Sequence, residues 1–316
     1  MALVWPDLPD GEQSDPTVDE VVQALFATTR ATAPDVVASL LDSMDSNSRY
    51  AMLKLALGGM RVGVSARLAK TAFAQAFDVG IDDVEELWHA LDPPYEALFR
   101  WAEEGGKRPD LSTTPFFRPF MLSHPFEGDS LDLGDYAVEW KWDGIRVEAV
   151  HLGGETRLYS RGGDDISAAF PDIVEAFDRD GVIDGELLVR GTDQGGEAAS
   201  FNALQKRLGR KTVSKKMRQE FPAFVRIYDL LMEGEEDLRM LPWHQRRERL
   251  EAFVPKLNSD HFDLSAVVKV DDFAALETMR AGARDAAIEG VMLKRRESPY
   301  LAGRVTGHWY KWKRDP

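Results

Sequence analysis

The chain contains no cysteine. That absence excludes disulfide frameworks, thiolate metal sites and cysteine nucleophiles together, and it fits a reducing compartment. No apolar run approaches the length of a membrane span, and the N-terminal stretch MALVWPDLPDGEQSD has neither a basic flank nor an apolar signal core. Internal repeats and low-complexity segments are missing as well. Basic charge is in deficit: 39 Lys and Arg stand against 54 Asp and Glu, a net charge of −15. Taken alone, that sum argues against a nucleic-acid binder. What is present is 316 residues, 44% of them hydrophobic, enough for a real core and about right for two domains.

The distribution of charge says more than its sum. Residues 1–30 hold six acids and a single base, Arg30. By contrast KRLGRKTVSKKMR (206–218) holds seven bases and no acid: Lys206, Arg207, Arg210, Lys211, Lys215, Lys216 and Arg218. A second basic cluster closes the chain, from Lys294 to Arg314. A charge run is usually a solvated face. Two of them in an acidic protein raise an anionic polymer as a candidate partner.

Residues 17 to about 104 read as helical, with a capping-box pattern at Thr17 and Glu20 and apolar periodicity through DVVASLLDSM, SRYAMLKLAL, SARLAKTAFAQAF and DDVEELWHAL. The stretch 103–119, rich in Gly, Pro, Ser and Thr, reads as a linker. After it come short alternating strands bounded by glycines, with helical stretches at ISAAFPDIVEAF, FNALQKRL, PWHQRRERLEAF and DDFAALETMRAGARDAAI. The expected class is α+β: an N-terminal all-α domain (1–105), a linker (106–118), and a domain of mixed antiparallel sheets flanked by helices (119–316).

Six stretches of the second half carry the chemistry. In EWKWDGIRVEAV, strand alternation sets Tyr136, Val138, Trp140 and Trp142 on one face and Glu139 with Lys141 on the other. Asp143-Gly144 supplies turn chemistry, and alternation resumes at Ile145, as in a hairpin with a wet Glu/Lys face. Downstream are Arg161 in YSRGGDDIS, Glu186 in VIDGELLV, Tyr228 in FVRIYDLLM, Glu289 in EGVMLKR, and Lys311 and Lys313 in HWYKWKRD. Together they hold a lysine nucleophile, two carboxylates able to ligate Mg²⁺, cations for a phosphorus-centred transition state and an aromatic to stack on a base.

The ordered series KxDG-x-R, SR-x-G, DGE, aromatic-Asp-Leu, EG-x-M-x-K and W-x-K-x-K resembles the covalent nucleotidyltransferase superfamily, in particular ATP-dependent DNA ligases, over residues 136–315. The upstream LLDSMDSNSRYAMLKLALGGMRVGVSARLAKTAFAQAF is similar to the helical DNA-binding domain of larger, bacterial-type members. The resemblance implies a nucleotidyltransferase (adenylation) domain that seals 3′-OH/5′-phosphate nicks in duplex DNA through lysyl-AMP and DNA-adenylate. Lys141 would take AMP from ATP, Glu139 would read the adenine amino group and Tyr228 would stack on the base. Arg146 and Arg161 would hold ribose and the nick phosphate, Lys311 and Lys313 the α-phosphate, with Arg304 also nucleotide-binding. Glu186 would touch ribose or metal, and Glu289 would ligate Mg²⁺.

Further expectations follow from the same resemblance: a monomer acting on nicked DNA, DNA-repair proteins as partners, no membrane, and a cytoplasmic, nucleoid location. Relatives would carry an OB-fold domain beyond WKRDP, absent from this chain, and about a hundred further helical residues ahead of VWPDLP. RNA ligases and mRNA-capping guanylyltransferases share the lysine motif and are the alternative enzymes. A non-catalytic DNA-end-binding protein is the alternative from another class.

Overall fold

The structure, a computed structural model, describes residues 4–6, 14, 16–59, 63–91, 93–105, 107–111, 114–191, 198, 201–210, 212–283 and 287–314. Contacts divide the chain into two compact units, Met1–Ala69 and Lys70–Pro316. The division falls well ahead of the 106–118 segment.

In the first unit, α1 (Val18–Phe26), α2 (Ala33–Asp42) and α3 (Ser46–Ala56) close around Val21, Leu41, Met44 and Met52. The Thr17/Glu20 pair forms a full capping box that satisfies two orphan backbone donors of α1. Asp45 caps α3 through its side chain, accepting from the Ser48 N–H. In the second unit, α5 (Ile81–Ala90) and α6 (Glu96–Glu104), with the end of α4 (Ala66–Ala76), bury Phe73, Val84, Leu87 and Leu98. Phe116, Phe117, Arg118 and Phe120 are buried as well. The end of the expected linker is therefore packed core, which its paired aromatics dictate more strongly than its prolines.

Two large sheets follow. One runs in the order β10 (Val267–Val268), β3 (Tyr136–Trp142), β11 (Ile288–Arg295), β13 (Trp309–Lys313), β2 (His124–Pro125). The other runs β5 (Glu155–Ser160), β4 (Ile145–Leu152), β6 (Gly181–Val189), β7 (Ala223–Glu233), β8 (Glu236–Asp237), with β9 (Phe262–Leu264) beside β7. A two-residue parallel pair joins β1 (Met121–Leu122) to β12 (Gly303–Arg304). Most pairings are antiparallel, while β2–β13 and β7–β9 are parallel, so the sheets are mixed as expected. The helices α7 (Pro171–Ala176), α10 (Trp243–Phe253) and α11 (Phe273–Gly282) supply the flanking layers, and α8 (Phe201–Gln205) and α9 (Lys215–Glu220) are short.

Strand alternation explains the layering. Val138, Val291 and Leu293, with Tyr136, Trp140, Tyr310 and Trp312, pack against Leu276 and Phe273 of α11 on one face of the first sheet. The opposite face turns toward the second sheet. The Asp143-Gly144 turn is not a hairpin, because β3 pairs with β10 and β11 while β4 pairs with β5 and β6. It carries the chain from one sheet to the other. A Cβ on Gly144 would lie 2.5 Å from the Leu187 carbonyl oxygen and 2.9 Å from Glu186 Cγ, so glycine is required by closeness of approach.

Candidate functional site

The crossover leaves a cavity of about 400 Å³ between the two sheets. Lys141, Glu139, Arg146, Arg161, Glu186, Tyr228, Glu289, Lys311 and Lys313 all line it, so nine of the residues singled out in the sequence meet in one place. Arg304, on β12, is exposed and does not line the cavity.

Lys141 forms an ion pair with Glu289 Oε1, and Lys313 Nζ sits 2.7 Å from the other oxygen of the same carboxylate. Burial of Glu289 opposes its ionisation, but hydrogen bonds from Lys141 and Lys313 and their charges prevail and hold the carboxyl below its usual range. The Lys311 pKa is also lowered, by burial and then by the charges of Lys141, Arg304, Lys313 and Arg161, which for a lysine favours the neutral form. Gly290 follows Glu289 with φ +147, and a Cβ there would lie 2.3 Å from the Trp312 carbonyl oxygen. This glycine lets β11 and β13 approach closely enough for one carboxylate to bridge two lysines.

Glu139 differs from its expected wet position. It is 2% exposed, with Lys294 Nζ 3.1 Å from its Oε1 but out of hydrogen-bond alignment. Lys294, itself buried, lies over the Tyr228 ring at 4.5 Å and the Trp309 ring at 4.6 Å, and donates to the Tyr228 carbonyl. The cation thus holds the acid, the aromatic wall and the strand edge together.

Beneath them runs a buried network that sequence reasoning missed. Arg146 donates to Asp184 through Nε (3.0 Å) and Nη2 (2.6 Å) and to the Met121 carbonyl through Nη1, with its guanidinium 4.2 Å over Phe120. The Tyr300 hydroxyl also donates to Asp184, at 2.7 Å. One residue beyond Tyr228, Asp229 accepts both arms of buried Arg246 from α10. Asp184 and Asp229 were visible as the acids of DGE and aromatic-Asp-Leu. Their role is to anchor arginines rather than to face the cavity. Tyr300 carried no signal.

Glu186, on β6, is the cross-strand partner of Arg146 on β4 and accepts from the Gly144 N–H at 3.2 Å. Burial raises its pKa to about 8 against the opposing charges of Lys141 and Arg146. A carboxyl with ordinary pKa 4.5 when unfolded and about 8 when folded favours the folded state most below pH 4.5. That contribution is lost progressively as pH rises from 4.5 to 8. Glu186→Gln, which cannot ionise, should therefore leave ligand-free stability little changed near pH 4.5 and raise it by roughly 1–3 kcal/mol at pH 8.5. Urea unfolding at the two pH values checks this, and an equal change at both would refute the burial argument.

As a metal site, the cavity offers two carboxylates, Glu186 and Glu289, both hard oxygen donors suited to Mg²⁺. Among the described residues there is no group of three or more His, Cys, Asp or Glu able to hold a metal ion. The donor set therefore fits a cation that arrives with phosphate oxygens, not one held by protein alone.

The basic run 206–218 divides. Lys206, Arg210, Lys215 and Lys216 are exposed, and Arg218 pairs with Glu175 at 3.1 Å. Lys211 lies outside the described residues. Arg207 corrects the expectation of a DNA contact. It is fully buried, bonded to both oxygens of Asp172 and to the carbonyls of Ala169 and Phe221, and stacked on Phe170. A guanidinium so saturated has nothing left for a phosphate.

Residues 121–313 match the ATP dependent DNA ligase domain family, more than half of the chain. The chain therefore belongs to that family. It is 30% identical to DNA ligase 1 of Korarchaeum cryptofilum over 315 residues, covering 94% of this chain and 56% of the relative. It is 32% identical to the probable DNA ligase of an Anaeromyxobacter species over 310 residues, covering 95% of this chain and 58% of the relative. The solved structure named Pmar-Lig_Pre matches with a TM-score of 0.59 at 17% identity, over 98% of this chain and 66% of that one, a likeness of fold. The chain spans about half the length of the relatives it matches.

Proposed function

We propose that this chain carries the nucleotidyl-transfer core of an ATP-dependent DNA ligase that seals 3′-OH/5′-phosphate nicks in duplex DNA through lysyl-AMP on Lys141. The observation that supports it most is the pairing of Lys141 with Glu289 inside a cavity also lined by Lys311 and Lys313 of β13, the strand next to that of Glu289. In this reading Lys141 Nζ, after giving up a proton, bonds to the α-phosphorus of ATP as the bond to pyrophosphate breaks. Lys311 and Lys313 meet the negative charge on the phosphate oxygens, Tyr228 stacks on adenine and Glu139 accepts from its amino group. Arg146 and Arg161 hold ribose and the nick phosphate. Mg²⁺, carried by Glu289 and Glu186 with phosphate oxygens, would neutralise charge on the transferring group. Residues 1–105 are proposed as part of a DNA-binding domain and 119–316 as the adenylation domain.

Intact mass after incubation with ATP or GTP tests the reading, followed by nicked DNA or nicked RNA as acceptor. A gain of one AMP from ATP and its transfer to nicked DNA supports it. A GMP adduct, or transfer only to RNA, overturns it in favour of a capping or RNA-joining enzyme.

The exposed lysines should contact phosphates and not bases. Neutralising Lys206, Lys215 and Lys216 together should weaken nicked-duplex binding equally for all sequences and flatten the log–log salt dependence by about one unit per lost phosphate contact. Arg207→Ala should behave differently, lowering stability with no change in salt slope for the folded fraction. Unchanged affinity and slope in the lysine variant would show these residues to be a solvated face.

A further inference from the structure

The turn that presents Arg161 rests on a helix to which the proposed chemistry assigns no role. Within the turn, Ser160 N–H donates to the Asp164 carbonyl and Gly163 N–H to the Ser160 carbonyl, both at 2.9 Å. The Gly162 and Asp164 N–H groups donate to Ser160 Oγ at 3.3 Å. Gly163 has φ +86, and a Cβ there would stand 2.6 Å from His89 Cε1 and 3.0 Å from Phe117 Cδ1. The backbone of the turn therefore lies directly on the imidazole, with no side chain of its own between them.

His89 stands in the last turn of α5. Its ring meets Phe117 edge-on at 4.9 Å; Phe117 meets Phe120 at 5.1 Å, and Phe120 underlies the Arg146 guanidinium at 4.2 Å. One imidazole thus touches the turn of one cavity arginine and heads an aromatic row that ends under the other. On its far side Nε2 is 3.4 Å from Lys70 Nζ, which is ion-paired to Glu85. An ammonium has only donors, so Nε2 is the acceptor. Burial, then the Lys70 charge, lowers the imidazole pKa against the opposing pull of Glu85 and Asp164. The ring is neutral at pH 7 and acts as a flat aromatic wedge.

We propose that His89 is a positioning residue for Arg161: it braces the Gly162-Gly163 backbone so that the guanidinium is presented into the cavity. The proposal deepens the ligase reading and rests on it for the kinetic half of its test. A histidine that merely fills the core would contribute stability alone. A wedge that aims Arg161 makes the effect of its removal depend on Arg161 being there.

The test uses the full chain as wild type, His89→Ala, His89→Phe, Arg161→Ala and the His89→Ala/Arg161→Ala double variant. The first readout is hydrogen exchange at the amides of residues 160–165, which needs no catalytic activity. His89→Ala should accelerate it by about tenfold and His89→Phe should restore protection, as expected when a local opening loses its support. The second readout is single-turnover sealing of a pre-adenylated nick. His89→Ala should raise the half-saturating nick concentration by about three- to tenfold with a smaller change in maximal rate, and have no further effect once Arg161 is gone.

Unchanged exchange in folded His89→Ala, or losses that multiply in the double variant, would overturn the proposal. Should His89→Ala not fold, His89→Leu, which keeps apolar bulk without the flat ring, takes its place under the same criteria. If the wild type forms no lysyl-AMP and seals nothing, the ligase reading fails while the exchange result still decides the role of His89.

Discussion

Lys141→Ala should abolish covalent adenylation while leaving the fold intact, and Lys141→Arg should be equally inactive. The side chain ends in the cavity and is partly exposed, so its removal forfeits little packing. Its carboxylate partner is not stranded by the loss, because Glu289 keeps Lys313 at 2.7 Å. That residual pair limits the stability cost to about 1 kcal/mol or less, the scale of a partly solvated ion pair. The chemical cost is of another order. Without a nitrogen that can bond to phosphorus the covalent route is closed, and a guanidinium stays protonated and offers no lone pair for attack. Intact mass after incubation with ATP should show no AMP adduct in either variant, with thermal unfolding near that of wild type. An adduct persisting near the wild-type rate would remove Lys141 from the role assigned to it.

The cavity lining was legible in the sequence because strand alternation and glycine-marked turns fix which side chains share a face. Lys141, Lys311 and Lys313 needed only period two to share the cavity face, whereas Glu289 is out of phase with Met292 and Lys294 and reaches the cavity through the strand irregularity at Gly290. Other features depend on which strands pair, and local pattern does not carry that. Asp143-Gly144 has the composition of a hairpin turn, yet β3 and β4 belong to different sheets, and only the steric crowding around Gly144 reveals why glycine is there. Burial was the second blind spot. Among the described bases of 206–218, Arg207 is the one that is fully buried, paired with an acid 35 residues upstream. Glu139 likewise reads as solvated until Lys294, more than a hundred residues later, is found against it. Long-range ion pairs of this kind leave no periodic trace. Tyr300 is the extreme case, since it acts through the buried acid it touches and belongs to no motif. His89, proposed to position Arg161, sits in a helical stretch whose periodicity gives it no role.

Asp184→Ala should be strongly destabilising and should also cost nucleotide transfer, although Asp184 does not itself line the cavity. Asp184 is fully buried and accepts two hydrogen bonds from Arg146 and one from the Tyr300 hydroxyl. The Arg146 pKa is raised well above its ordinary value: burial works against the charge, but Asp184 outweighs it. Deleting the acid leaves a guanidinium with low solvent access and no counter-charge, a situation that typically costs about 3–5 kcal/mol. Because Arg146 keeps some exposure to the cavity, the lower end of that range is expected here, about 3 kcal/mol. Asp184→Asn keeps the shape and one acceptor, and should fall between wild type and Ala. Replacing both partners by apolar groups, Arg146→Met with Asp184→Leu, should recover much of the loss, since neither charge is then stranded. It should not recover nucleotide transfer, because the cavity has lost an arginine. Urea unfolding of the four proteins, with adenylation of the folded fraction, separates support from chemistry. If Asp184→Ala unfolds within 1 kcal/mol of wild type, the pair is not what holds Arg146, a threshold set by the usual value of a solvated ion pair. If the apolar double variant still transfers AMP at the wild-type rate, Arg146 is a structural residue and the assignment of ribose or phosphate binding to it is wrong.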